Sequence, residues 1–266
     1  MESSIKKRDA DWDVVKGIGV LLMVIGHSGC PPYMKSFIYL FHMGLFYFVS
    51  GYFLSTSGSL WSWNKSLHFV LKKLKALYKP FIIWGLLFVL LHNLFYQWGW
   101  ENECYTFHDI LLKIASTLSF AHVEPLLIPL WFLKSLFCGV VVTYFVIQIR
   151  SKVIQVFIMS MLYVIGWCVS NMGIHLFFSL EREMVITPVV YLGYMMKDLN
   201  FQLSSLKFIA VAIILVISSM YITIDTAIAF FSFPLVYPMF AILGILFCYT
   251  IAIYLKKMGV YRLSMA

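Results

Sequence analysis

Long apolar runs separated by short charged segments set the pattern of this chain. The runs cover roughly residues 14–30, 37–56, 80–98, 126–149, 153–171, 176–196, 208–224 and 230–255. About 20 apolar residues in a helix cross the hydrocarbon core of a bilayer. Lipid offers no partner to backbone N–H and C=O groups, so a spanning segment must satisfy them internally. The runs are continuously apolar rather than alternating, which argues against a transmembrane β-barrel. The pattern therefore predicts an all-α, polytopic transmembrane helix bundle of about eight spans, with residues 1–266 forming a single membrane domain.

Composition agrees: 62% of residues are hydrophobic, 18% aromatic and only 12% charged. Such a chain is not a soluble domain. Lys6, Lys7 and Arg8 precede the first run as in a targeting peptide. However, Asp9, Asp11 and Asp13 intervene, and Pro31 and Pro32 stand where a small-x-small cleavage site would be. The expectation is an uncleaved first span.

The formal net charge of +8 has an address. With the N-terminus in the cytosol, sixteen of the 20 basic residues fall in cytosolic segments. Only Lys35 and Lys113 fall in outer loops, while Lys134 and Arg182 fall within spans. The positive-inside rule then predicts N-in, C-in topology. The charge is accounted for by orientation and by contact with anionic membrane lipids, without nucleic acid. The five cysteines form no C-x-x-C pair and no metal-ligand spacing, so no metal is expected. Cys30 and Cys104 fall on the same side and leave a disulfide open; packing as small apolar residues explains all five.

Ionisable residues inside spans are expensive and mark function by default. Lys16 and His27 lie eleven residues apart on the first span. Eleven steps of about 100° return to the same helix face, about 16 Å further along. Asp13 stands one turn from Lys16. His42, Lys134, Glu181, Arg182 and Glu183 cluster toward the outer half of the membrane, which predicts a polar pocket opening outward. A packing histidine at His42 and a structural ion-pair set at Lys134 and Glu181–Glu183 explain the same residues. Residues 57–79 carry Trp61, Trp63, Lys65, Lys72, Lys73, Lys75 and Lys79. They read as an interfacial, snorkelling helix or as a phosphate site. Residues 99–125, with Glu101, Glu103, His108, Asp109, His122 and Glu124, read as an acceptor cleft or a solvated loop.

Several of these segments together resemble integral-membrane acyltransferase family 3, whose members O-acylate sugars on surface polysaccharides. The Asp13, Lys16 and His27 spacing is similar to its opening motif, with lysine where the family most often has arginine. FHMGLFYFVSGY (41–52) resembles its F-x-M-P-x-F-F-x-x-S-G-Y element, with Gly44 in place of proline and Ser50 retained. LKKLKALYKP (71–80) resembles its basic segment, and PLWFLK (129–134) its W-F-L element at Trp131. The resemblance implies ten spans, the ninth opening on G-x-x-S-x-x-I-Y. GVYRLSMA (259–266) reaches about that point, so two helices are expected beyond it. That implies either a shorter variant or a truncated, inactive copy.

The resemblance further implies a cytosolic acyl-CoA donor, most often acetyl-CoA, as co-substrate with no bound cofactor. The acceptor would be a hydroxyl on an extracytoplasmic glycan or lipid-linked saccharide, across a bacterial plasma membrane. Lys72, Lys73, Lys75 and Lys79 would bind donor phosphates. His27 would be general base or acyl carrier, with Lys16 and Asp13 beside the donor path. His42, Ser50, Trp131, Lys134, Glu181, Arg182 and Glu183 would line the acceptor side, Lys134 being a candidate oxyanion donor. A transporter or flippase relaying protons through His27, Lys134 and Glu181–Glu183 is the alternative. It lacks support from any internal repeat or paired broken helices.

Overall fold

The computed structural model describes residues 9–55, 62–121, 123–233 and 235–260. Lys6, Lys7, Arg8, Trp61 and His122, all weighed above, lie outside them, as does most of the 259–266 element. Helices α1 (Ala10–His27), α2 (Pro32–Tyr39), α3 (His42–Tyr52), α4 (Trp63–Gln97), α5 (Phe107–Leu118) and α6 (Trp131–Val146) come first. Then follow α7 (Lys152–Asn171), α8 (Leu180–Met195), α9 (Ser205–Tyr221) and α10 (Val236–Lys257). A two-stranded antiparallel hairpin, β1 (Ile224–Asp225) and β2 (Phe230–Phe231), joins α9 to α10. Among the described residues the fold is all-α apart from that hairpin.

Among the described residues, four helices are long and apolar enough to cross a membrane: Trp63–Gln97, Pro125–Val146, Lys152–Asn171 and Val236–Lys257. The chain is an integral membrane protein on that ground. The remaining apolar runs form shorter helices or, in α1, carry Asp11, Asp13 and Lys16. The run at 37–56 differs from the expected continuous helix. It breaks at Leu40–Phe41 into α2 and α3, where Phe41 leaves the helical region at φ −143°. The basic segment before the third run is not a separate interfacial helix either. Residues 63–79 and the apolar 80–97 form one 35-residue helix. At about 1.5 Å per residue it is roughly 52 Å long, well beyond the hydrocarbon thickness. Its lysine-bearing first half therefore projects past an apolar second half. Pro80 withholds one N–H from this helix without ending it.

α3 and α8 are the central pair, flanked by α1 and α10 on one side and α6 and α7 on the other. Their approach requires glycine. A Cβ at Gly51 would collide with the Val190 carbonyl oxygen, and one at Gly193 with the Phe48 carbonyl oxygen. Small residues let helix backbones meet closely where lipid gives no hydrophobic drive. Around this crossing lies one core rich in aromatics, including Trp12, Tyr47, Phe48, Tyr237 and Phe240.

Helix direction puts chemistry at two ends. The C-terminus of α1 and the N-termini of α3, α6 and α8 gather His27, His42, Trp131 and Glu181. The opposite end gathers the lysines of α4, α7 and the segment after α8. There Lys256 of α10 closes on Asp11 of α1 at 2.9 Å. All five cysteines are free thiols, so Cys30 and Cys104 are not bridged.

Candidate functional site

At the histidine end a cavity of about 360 Å³ is lined by His27, Lys35, Tyr39, His42, Trp131 and Asp225, among others. Each side chain has a structural reason to be there. His27 closes the last turn of α1 and is solvent-exposed. Gly26 beside it leaves room for the Tyr39 ring, which a Cβ would meet at 3.0 Å. Tyr39 lies between the two histidines, its ring 6.0 Å from His27 and 4.9 Å from His42. His42 is 3% exposed. Its Nδ1 donates to the Ile38 carbonyl at 3.0 Å, because a carbonyl only accepts. In the neutral ring that fixes Nε2 as the nitrogen with a free lone pair.

The far wall is braced by charge. The Arg182 guanidinium stacks 4.6 Å over the Trp131 ring. It donates to the Ala227 carbonyl at 3.0 Å and to Glu183 Oε1 at 3.0 and 3.3 Å. Ser135 donates to the same carboxylate oxygen at 2.9 Å. Trp131 and Ala227 both line the cavity, so this buried group holds two of its walls.

Lys16 sits at the other end of α1. It pairs with Asp13 at 3.0 Å and lies 4.7 Å over the Phe53 ring. The ion pair is half-exposed and of small energetic weight. Two further cavities open at this end. One is lined by Ser55, Lys65, Phe69, Lys72 and Tyr144, among others. The other is lined by Ser55, Lys152, Tyr194, Met195, Lys197 and Asp198, with two cations to one carboxylate. The geometry is thus a titratable imidazole at one end of an apolar bundle and cationic recesses at the other.

A family model described as an acyltransferase domain, that of acyltransferase family 3, matches residues 9–265. The chain belongs to acyltransferase family 3. No curated protein and no solved structure matches it.

Within this acyltransferase domain the expected residues divide. His27, His42 and Trp131 share the histidine-end cavity. Lys134 does not line it: its ammonium donates to the Phe178 carbonyl at 2.7 Å. Glu181 accepts from the Leu176 N–H at 3.0 Å and lies 3.6 Å from His175 Nδ1, bracing the turn before α8. Ser50 is half-buried in α3, outside that cavity. Of the four lysines expected to bind the donor, Lys72 lines a cavity. Lys73 lies 5.7 Å from the ring centre of Phe69, a residue of that cavity, while Lys75 and Lys79 are exposed.

The segment 99–125 is not simply a solvated loop. α5 packs along α4, where Tyr78 donates to the Leu118 carbonyl. His92, 2% exposed, donates from Nε2 to the Glu103 carbonyl at 3.0 Å, and its Nδ1 lies 2.9 Å from Glu124 Oε2. Tyr105 stacks on the imidazole at 3.4 Å. Burial first, then the Glu124 charge, pushes the Tyr105 hydroxyl up to about 12. Donor atoms of His92, Glu101 and Glu124 lie within 4.8 Å of one another and include metal-ligand types. With both ring nitrogens already engaged, the set fits a staple tying this segment to α4. Asp225 of the hairpin was not singled out from sequence. A lone aspartate ending a two-residue strand carries no periodic signal.

Proposed function

We propose that this acyltransferase domain moves an acyl group, acetyl in the first instance, from acyl-CoA to a hydroxyl of an extracytoplasmic glycan or lipid-linked sugar. The observation that carries the reading is the placement of His27. It stands in a cavity at one end of α1 while Lys16 and the cationic recesses stand at the other, about 16 Å away along the helix. A negatively charged donor is drawn to the lysine end, and its pantetheine arm reaches along α1 toward the imidazole. The protein lies N-in and C-in across a bacterial plasma membrane, with the histidine end outward.

In the transfer, His27 takes the proton of the acceptor hydroxyl as its oxygen attacks the thioester carbonyl carbon. The C–S bond breaks, and the CoA thiolate leaves and collects that proton from the imidazolium. Atoms and charge balance without a further reactant. Trp131, held flat by Arg182, offers a ring face to a sugar, and Asp225 offers a carboxylate to its hydroxyls. A proton-relaying transporter is less well supported, since Lys134 and Arg182 are engaged by backbone carbonyls within the bundle.

The test uses the full chain in nanodiscs with acetyl-CoA and a glycan acceptor. His27→Ala should lower the transfer rate by about 10²-fold or more, the range of general base catalysis. Expression and thermal stability should stay near wild type because His27 is exposed. An undiminished rate in the variant would remove His27 from the chemistry.

A further inference from the structure

Ser55 lines both cavities at the lysine end. The larger, about 480 Å³, takes Lys65, Phe69 and Lys72 from α4. These follow i, i+4, i+7 spacing and so share one helix face. The smaller, about 270 Å³, takes Lys152 from the start of α7 and Lys197 from the turn after α8, with the Asp198 carboxylate also in its lining, so two cations face one anion there. Their ammonium groups lie 5.1 and 4.5 Å from the centre of the same Tyr194 ring. Lys197 also donates to the Leu54 carbonyl, next to Ser55, which fixes it at the shared edge.

The ligand chemistry follows from two cationic pairs on either side of one serine. It suits a ligand with phosphoryl groups at two separated points of one molecule. An aromatic floor is present too: Phe69 and Tyr144 stack at 3.8 Å with planes 10° apart, a platform that a planar base can extend. A lipid headgroup shares the phosphate but offers no base.

We propose that Lys65 and Lys72 on one side of Ser55, and Lys152 and Lys197 on the other, form a clamp for a nucleotide phosphorylated at two positions. Resting on the transfer reading above, that nucleotide is the adenosine 3′,5′-bisphosphate end of the acyl-CoA donor. Lys152 and Lys197 are then donor-binding residues, although 45 positions separate them in sequence.

The direct probe is adenosine 3′,5′-bisphosphate itself, titrated calorimetrically into purified full-length protein in phosphatidylcholine nanodiscs. Wild type should bind it more tightly than 5′-AMP. The double variant Lys152→Gln, Lys197→Gln should bind the bisphosphate about tenfold more weakly, and more salt should erode the difference. Lys152→Arg, Lys197→Arg should retain binding, and Lys207→Gln on α9 should not change it. Equal affinity in the double glutamine variant, with a normal melting profile, overturns the clamp. So does an equal loss in Lys207→Gln, which would mark general surface charge. If wild type ignores the bisphosphate and the double variant loses only its preference for phosphatidylglycerol over phosphatidylcholine, the basin is a headgroup site and the proposal falls. Binding and turnover separate the two readings. Bisphosphate binding without any acyl transfer upholds the clamp and sinks the transfer. Transfer with an unchanged acetyl-CoA KM in the double variant does the reverse.

Discussion

The Arg182 guanidinium lies 4.6 Å over the Trp131 ring while two of its nitrogens hold Glu183 Oε1. Both charges are buried, at 5% exposure each. Glu183 Oε2 makes no hydrogen bond to any described residue. Arg182 is therefore the main compensation for a buried carboxylate as well as the brace of a cavity wall. Arg182→Gln should cost about 3–5 kcal/mol of stability by leaving that charge uncompensated. Removing both charges, as Arg182→Met with Glu183→Gln, should cost distinctly less. Thermal melting of the two variants in detergent decides it. Equal losses would show that the pair is not energetically coupled.

Parts of this arrangement were open to a reader of the sequence, and the reasons differ by residue. α1 was legible because Lys16 and His27 interrupt an otherwise apolar run on one face. The break at Leu40–Phe41 was not, because neither proline nor glycine stands at it and only His42 interrupts the apolar run there. It comes from tertiary packing: a Cβ on Gly244 of α10 would meet the Phe41 side chain at 2.5 Å, and one on Gly44 would meet Ala241 at 2.7 Å. The fusion of the lysine segment with the third apolar run hid behind the change of composition at Lys79–Pro80, which falls inside one helix. His92 and Glu124 stand 32 positions apart, each unremarkable alone. Lys152 and Lys197 likewise become a pair only through the packing of α7 on α8. Long-range convergence, rather than local propensity, is what the one-dimensional pattern omits.

The α3–α8 crossing yields a sharper prediction on stability. Gly193→Ala would drive a methyl into the Phe48 carbonyl, and Gly51→Ala one into that of Val190. Overpacking of a side chain typically costs about 1–3 kcal/mol, and backbone atoms have less freedom to move aside. Either variant should melt lower and express poorly. Gly17→Ala on α1 is the counterpart, since a Cβ there meets nothing within 4 Å. It should be neutral or stabilising by about 0.5–1 kcal/mol, the helix-propensity gain over glycine. A Gly193→Ala protein as stable as wild type would show that the two helices can separate without cost.

The N-in, C-in orientation proposed from the basic residues can be tested directly. In a cysteine-free background of intact cells, a cysteine at position 75 should resist an impermeant maleimide. One at position 102, beyond the apolar end of α4, should react. The reverse pattern would invert the topology and put the lysine clamp on the wrong side for a cytosolic donor.

Acid should loosen α5 before it unfolds the apolar bundle. Asp109 closes a capping box: it accepts from the Thr106 N–H at 2.9 Å and hydroxyl at 2.7 Å, while its own N–H donates to Thr106 Oγ1 at 3.2 Å. The Thr106 hydroxyl, then the Thr106 N–H, hold its carboxyl below the ordinary 3.8. A depressed carboxyl contributes stability that is present above its unfolded value and is lost as pH falls through the folded one. The window therefore opens near 3.8 and lies below it. Amide protection across the first turn of α5, corrected for intrinsic exchange, should be flat from pH 7 to 5 and fall below about 4. Asp109→Asn should start lower and show no such step. If protection in wild type stays level down to pH 2, packing of α5 against α4, rather than its cap, is what holds the helix.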